Sequence, residues 1–107
     1  MISRHWKGIA RHGYAESYVQ HLRHDTFPGL ARIPGFVRAT ILRRAVEGGT
    51  EFHIVTVWES LTAIKAFAGE DPEIAVVPAN VREMLSTFDE RVVHYEIAER
   101  FAPRGAK

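Results

Sequence analysis

The hydrophobic pattern is clearest between Glu51 and Gly69, where an extended run passes directly into a helical one. From Phe52 to Trp58, apolar and β-branched residues occupy both alternating sets of positions, which predicts a strand buried on both faces. Ser60 then suits a helix N-cap, and Gly69 predicts the end of that helix. In so short a chain, a second copy is the expected cover for one face of the strand.

Further strands and helices are predicted on both sides of this segment. Alternation predicts strands over residues 2–10, 36–46 and 91–98. Residues 14–25 predict an amphipathic helix, whose apolar stripe consists of Tyr14, Ala15, Tyr18, Val19 and Leu22. The paired glycines in residues 47–50 predict a hairpin turn between the second and third strands.

A short helix is predicted before the last strand. Asn80, followed three residues later by Glu83, resembles a capping box for a helix that runs through Leu85. Gly8 lies in the middle of the first predicted strand, where glycine often marks a bulge or a close approach by a ligand or another backbone. Side-chain packing is the alternative explanation.

The order strand, helix, strand, strand, helix, strand predicts an α+β, ferredoxin-like βαββαβ fold with a four-stranded antiparallel sheet. Right-handed crossovers place the first and third strands in its centre. We expect the helices on one face, with Tyr95 in that core. The other face is expected to carry Trp6, Leu42, Phe52, Ile54 and Trp58. Two such faces packed together would enclose a cavity, which predicts a homodimer of the dimeric α/β-barrel type.

Length and charge limit the classes of function. The 107 residues predict one domain over residues 1–99 and a mobile tail over residues 100–107. With 14 Lys and Arg against 13 Asp and Glu, the chain gives no indication of a nucleic acid or anionic membrane partner. The absence of cysteine excludes disulfides and thiolate metal sites. No membrane span or leader is recognised, so we expect a cytoplasmic protein.

The chain resembles the antibiotic biosynthesis monooxygenase family of dimeric α/β-barrel proteins in four runs, which are RHWKG, EFHIVTVWES, AIKAFAGEDPE and VVHYEI. The resemblance covers nearly the whole chain, to about Glu99. This resemblance implies cofactor-independent oxidation of phenolic or quinol-like polyketides, or haem degradation. The haem-degrading members are similar to one another in an Asn on the first strand, a Trp after the third strand and a later His. Here the first strand has no Asn, Phe67 lies near the Trp position, and AVVPAN around Val77 and Pro78 replaces the region of the His.

His94 is the candidate catalytic base. A free imidazole has a pKa of about 6.5 and can accept a proton from a phenol at neutral pH, as metal-free oxidation by dioxygen requires. The alternative is a structural histidine, hydrogen-bonded to Glu96 or to the backbone.

An apolar cavity with flat walls suits a small aromatic ligand. The residues expected to bind the substrate are Arg4, Trp6, Phe52, Ile54, Trp58 and Phe67. Arg4 would steady an oxyanion, or else form a salt bridge to Glu96 or across the dimer. The alternative for both tryptophans is that they only fill the core.

No cofactor or metal site is predicted. His21 and His24 lie one helical turn apart, but no matching pair of ligands occurs elsewhere. Two classes of function therefore stay open, which are a monooxygenase without a cofactor and a non-catalytic dimeric module that binds a small apolar ligand or stabilises a partner. Haem binding or degradation is a further alternative that the resemblance implies.

Overall fold

The computed structural model describes residues 1–104. Part of the predicted mobile tail, residues 105–107, lies outside the described residues. The elements in chain order are β1 (Ile2–Arg11), α1 (Ala15–His21), a π-helical turn (Leu22–Thr26), α2 (Phe27–Ala31), β2 (Phe36–Val46), β3 (Gly49–Trp58), α3 (Leu61–Ala68), α4 (Ala79–Met84), β4 (Leu85–Phe88) and β5 (Val93–Glu96).

The sheet is antiparallel and has the order β2-β3-β1, with β4 and β5 both paired to the free edge of β1. β5 pairs with residues 2–5 of β1, whereas β4 pairs with residues 8–10. The ferredoxin-like α+β fold with β1 and β3 in the centre is therefore confirmed. The fourth position of the sheet, which the sequence assigned to one strand, is shared by two short strands.

Two strands share this edge position because the end of α4 and the Asp89–Lys7 hydrogen bonds divide the pairing with β1. The last short helix ends at Met84, and its N-cap is Pro78, so the predicted capping box of Asn80 and Glu83 does not form. Leu85 begins β4 and is buried. Asp89 then interrupts the pairing, because its backbone N–H donates to the Lys7 carbonyl at 2.9 Å while its carboxylate accepts from the Lys7 N–H at 3.2 Å.

The first helix continues six residues beyond the predicted end, to Ala31. Pro28 has no N–H to donate to the carbonyl four residues earlier, so a regular α-helix cannot pass through it unchanged. The chain widens instead into the π-helical turn Leu22–Thr26, in which the Phe27 N–H donates to the Leu22 carbonyl. The helix can thus run from Ala15 to Ala31 along the sheet.

The helices cover the sheet face that bears Trp6, Phe52, Ile54 and Trp58, so the predicted assignment of the two faces was wrong. Two core clusters lie on this covered face. One joins Trp6, Phe52 and Ile54 to Tyr18, Val19 and Leu22, and the other joins Trp58 to Leu30, Ala63 and Ile64. Tyr18 and Phe52 meet edge to face with ring centroids 4.9 Å apart.

The opposite face, which we call the open face, carries the register set Leu42, His53, Val55, His5, Val93 and Tyr95. Tyr95, predicted to lie in the core, is 56% exposed, and Leu42 is 50% exposed on this face instead of beside Trp6. The two errors have different causes. β3 is apolar at both parities, so alternation alone could not tell which face its own helices would take, and this misplaced Tyr95. Leu42 was misplaced by register, because Leu42 pairs with His53 and it is Ile41 that pairs with Ile54.

Gly49 provides a test of the hairpin between β2 and β3. Its φ is +150°, and a Cβ at this position would collide with the backbone carbonyl of Ala10 on β1. We predict that Gly49→Ala lowers the free energy of unfolding by more than about 2 kcal/mol. The measurement is equilibrium unfolding in urea.

Gly29→Ala is the matched control, because Gly29 lies in α2 and a Cβ there would meet nothing within 4 Å. This variant should gain about 0.5 kcal/mol from the reduced freedom of the unfolded chain. Equal stabilities of the two variants would contradict the account of the hairpin.

Candidate functional site

A cavity of about 70 Å³ lies between the covered face of the sheet and the first helix. β1 and β3 supply one wall, the helix from α1 to α2 supplies the other, and residues 76–78 and 81 close one side. A wider groove of about 400 Å³ adjoins the cavity and shares part of its lining with it, namely His21, Thr26, Leu30, Phe67, Val76 and Pro78. The two spaces together form an apolar inner chamber with a broad outer part, which we call the sheet–helix cavity.

Four of the seven residues predicted for the site line this cavity. They are Arg4, Trp6, Ile54 and Phe67. Phe52 and Trp58 are fully buried and lie outside the lining, in the two core clusters. His94 does not line the cavity either. The cavity belongs to a single protomer, between the sheet and its own helices, whereas the sequence placed it between two sheets of a dimer.

Trp6 forms a fixed wall of the cavity. Its ring lies over Gly8, where a Cβ would stand only 2.5 Å from the ring carbon Cη2. Packing of the Trp6 side chain therefore accounts for this glycine. The indole N–H donates to the Asp89 carbonyl at 2.9 Å. Trp58 uses its N–H in the same way, toward Thr56 Oγ1 at 2.9 Å. Both indole N–H groups are therefore already bonded within the protein.

Arg4 brings a positive charge to the apolar lining. Its side chain is 6% exposed, and Nη2 donates to the Ile74 carbonyl at 2.8 Å, which ties β1 to the segment that closes the cavity. The guanidinium lies 5.4 Å from the centre of the Phe67 ring, within the range of a cation–π contact. Burial lowers the pKa of Arg4 to about 10. Within residues 1–104, Arg4 forms no salt bridge, so the predicted pairing with Glu96 is not found.

His94 is the register partner of Arg4 across β1 and β5. Its Nε2 atom is buried and has no hydrogen-bond partner among the described residues, so this nitrogen is not bonded to Glu96 or to the backbone. Burial, together with the charge of Arg4, lowers the pKa of His94, while Glu73 acts in the opposite direction. The neutral imidazole is therefore the favoured form.

His21 lines both parts of the sheet–helix cavity, which the sequence analysis missed. It is the last residue of α1, immediately before the π-helical turn. Its Nδ1 lies 3.3 Å from Asp25 Oδ2, so Nε2 is the nitrogen left for a ligand. The spacing of four between His21 and Asp25 on a predicted helix was the available signal.

The two histidines considered as a metal pair have different neighbours. His24 Nε2 bonds to Gln20 Oε1 at 2.8 Å on the exposed side of the helix, away from the Asp25 contact of His21. No group of three His, Asp or Glu side chains within residues 1–104 is placed to hold a metal ion.

In the described part of the chain, no helix has the length and apolar character needed to cross a membrane.

Solved structures with the same fold come from proteins of different activities. SnoaB, a cofactor-independent oxygenase from Streptomyces nogalater, aligns with a TM-score of 0.64 at 18% identity, over 92% of this chain and 94% of SnoaB. MhuD, a haem degrader from Mycobacterium tuberculosis, aligns with a TM-score of 0.67 at 18% identity, over 95% of this chain and 100% of MhuD. At these identities the likeness shows the fold alone.

Sequence comparison identifies the family. No curated protein sequence matches the chain. The family model for antibiotic biosynthesis monooxygenase matches residues 9–79, which include β1 from Ile9, the first helix, β2, β3 and α3. This match spans more than half of the chain and agrees with the resemblance and with the fold. The chain belongs to the antibiotic biosynthesis monooxygenase family.

Proposed function

We propose that this protein is a cofactor-independent monooxygenase that oxidises a small, electron-rich aromatic or quinol-like substrate inside the sheet–helix cavity. The observation that carries the proposal is the position of His21, an imidazole at the wall of a largely apolar cavity, with Nδ1 3.3 Å from the carboxylate of Asp25. Membership of the monooxygenase family supports it, and SnoaB is an oxygenase of the same fold that needs no cofactor.

The proposed reaction draws its electrons from the substrate. Deprotonation of a phenol gives a phenolate, which is electron-rich enough to pass an electron to dioxygen. A carbon–oxygen bond then forms at the ring, the O–O bond breaks, and the ring carbon becomes a carbonyl. For a phenol the balance is ArH(OH) plus O₂ giving a quinone plus H₂O, so one oxygen atom enters the product and the other leaves as water.

His21 is the proposed general base, in place of His94. His21 Nδ1 lies 3.3 Å from Asp25 Oδ2, which leaves Nε2 as the nitrogen that takes the proton from the substrate. His21 lines the cavity and His94 does not, which favours His21 as the base. The adjacent π-helical turn gives the end of α1 a geometry that a regular helix lacks, and such turns are frequent at functional sites.

The apolar walls have a separate role. Trp6, Ile54 and Phe67 provide flat and aliphatic surfaces against which an aromatic ring can pack. They also keep water away from the phenolate, so that electrostatic interactions with it are stronger than in bulk water. The substrate is held by contact area, and only a few polar side chains orient it.

Replacement of His21 tests the proposal. We predict that His21→Gln lowers the rate of protein-dependent oxygen uptake with naphthoquinols by about 100-fold, because the amide cannot accept the proton. Uptake is measured with an oxygen electrode, and uncatalysed oxidation in buffer is subtracted. A metal chelator should leave the wild-type rate unchanged.

His24→Gln is the control for this experiment, since His24 lies on the same helix but bonds to Gln20 away from the cavity. It should keep the wild-type rate. His94→Gln should also keep measurable oxidation if His21 is the base. If His94→Gln lost activity while His21→Gln kept the wild-type rate, the assignment of His21 as the base would be overturned. Absence of oxygen uptake across a panel of quinols would favour a non-catalytic binding module.

Haem binding or degradation is the second candidate. His21 also lines the outer groove of about 400 Å³, where an imidazole could ligate iron, and MhuD shares the fold. Titration with haem separates the two candidates. A saturable Soret shift that is lost in His21→Gln, followed by decay with reductant in air, would favour haem degradation. We expect no such shift, since the chain departs from the haem-degrading motif.

We also propose that the protein is a homodimer packed through the open face. This face leaves Leu42, Val93 and Tyr95 about half exposed, and no element among residues 1–104 covers them. A second copy of the same face would bury this apolar area, and the β3 side chains that point toward it include Val55 and the buried Val57.

A charged double variant tests the dimer. Leu42→Glu combined with Tyr95→Glu should weaken self-association by at least about 100-fold, because packing would bury four carboxylates in the dimer. Sedimentation velocity measures the association state. Leu61→Glu is the control, because Leu61 is 41% exposed on α3, away from the open face. A wild-type protein that stays monomeric at high micromolar concentration would contradict the proposal.

A further inference from the structure

Two buried polar atoms on adjacent strands lack partners. Arg4 Nε and His94 Nε2 are both buried without a hydrogen bond among the described residues. They belong to side chains that are register partners, Arg4 on β1 and His94 on β5. Side chains paired in this way in an antiparallel sheet lie close together. A single group placed between them could satisfy both.

The positive charge of Arg4 is also not balanced by a counter-ion among the described residues. Arg4 is 6% exposed and remains a cation at neutral pH, although burial lowers its pKa to about 10. Its Nη2 donates only to carbonyl oxygens, those of Ile74 and Pro72, which carry no net charge. The charge of Glu73 raises the pKa of His94, but the Oε1 atom of Glu73 pairs with Arg91 Nη2 at 3.3 Å on the exposed side. A buried cation without a counter-ion is unfavourable, and an anionic ligand would relieve it.

We propose that Arg4 and His94 form a carboxylate-binding subsite beside the inner part of the sheet–helix cavity, so that the substrate is a small aromatic acid. This inference rests on the proposed function and names the class of substrate that it acts on. One carboxylate oxygen accepts from the Arg4 guanidinium and the other from His94 Nε2–H in its neutral tautomer. The aromatic ring extends from the carboxylate past Phe67 toward His21.

The charge of the subsite favours a carboxylate over a phosphate. Arg4 is the one Lys, Arg, Asp or Glu side chain that lines the inner cavity. A monoanion is balanced by one guanidinium. A phosphate monoester carries a charge close to −2 at neutral pH, so part of its charge would stay uncompensated in an apolar site.

The test compares an acid with its neutral isostere. Binding of 2-naphthoate and 2-naphthamide to the full-length protein is measured by isothermal titration calorimetry at pH 7.5. We expect 2-naphthoate to bind about 10-fold to 100-fold more tightly, as charge-assisted hydrogen bonds contribute to affinity. Equal affinities would overturn the carboxylate subsite, and this comparison requires no variant.

Substitutions identify the side chains that cause the preference for the acid over the amide. Arg4→Gln should reduce the affinity for 2-naphthoate to about that for 2-naphthamide while leaving the amide unchanged, because the amide does not need the charge. His94→Leu should reduce the preference for the acid by about 3-fold to 10-fold. Arg43→Gln is the control, since Arg43 pairs with Glu16 on the surface. An acid preference that survives both Arg4→Gln and His94→Leu would place the carboxylate elsewhere.

The possible results distinguish the carboxylate subsite from the proposed oxidation. Tight, Arg4-dependent binding of 2-naphthoate without oxygen uptake from hydroxynaphthoates would support the subsite and contradict the oxidation. Oxygen uptake that proceeds equally well with hydroxynaphthoates and with naphthols lacking the acid group would support the oxidation and contradict the subsite.

Discussion

The architecture depends on one constraint, which is that the central strand β3 is apolar on both faces while the helices of the chain cover only one. The covered face buries Phe52, Ile54 and Trp58 against the helix from Ala15 to Ala31 and against α3. The packing is complete near Phe52 and Trp58, and a cavity is left between these two clusters. The same constraint leaves the open face for a partner, so the ligand site and the proposed dimer surface lie on opposite sides of one sheet.

The fold could be read from the sequence because its signals were local. Alternation predicted β2 with the bounds observed, and Ser60 and Gly69 predicted both ends of α3, where Ser60 Oγ accepts from the Ala63 N–H. The choice of sheet face could not be read, since it depends on which apolar set meets the helices in three dimensions. The continuation of the helix past Pro28 could not be predicted either. Proline usually ends a helix, and the π-helical turn that compensates for it has no signal in the sequence.

The site was predicted in part. Arg4, Trp6 and Ile54 were found because residues of equal parity on neighbouring strands share a face, and this grouping holds whichever face the helices cover. His21 was missed because a helical residue at the end of an apolar stripe gives no sign in sequence that it borders a cavity. His94 lies opposite Arg4 in the sheet but outside the cavity lining, and this position depends on the short strand β5, so it could not be foreseen.

A crystal structure of the protein soaked with 2-naphthoate tests the central claim most directly, which is that the ligand binds within each protomer, between the sheet and the first helix. The account predicts electron density for the naphthalene ring between Trp6 and Phe67, with the carboxylate at Arg4. Density for the ligand only on the open face, among Leu42, Val55 and Tyr95, would contradict it and return the site to the space between two sheets.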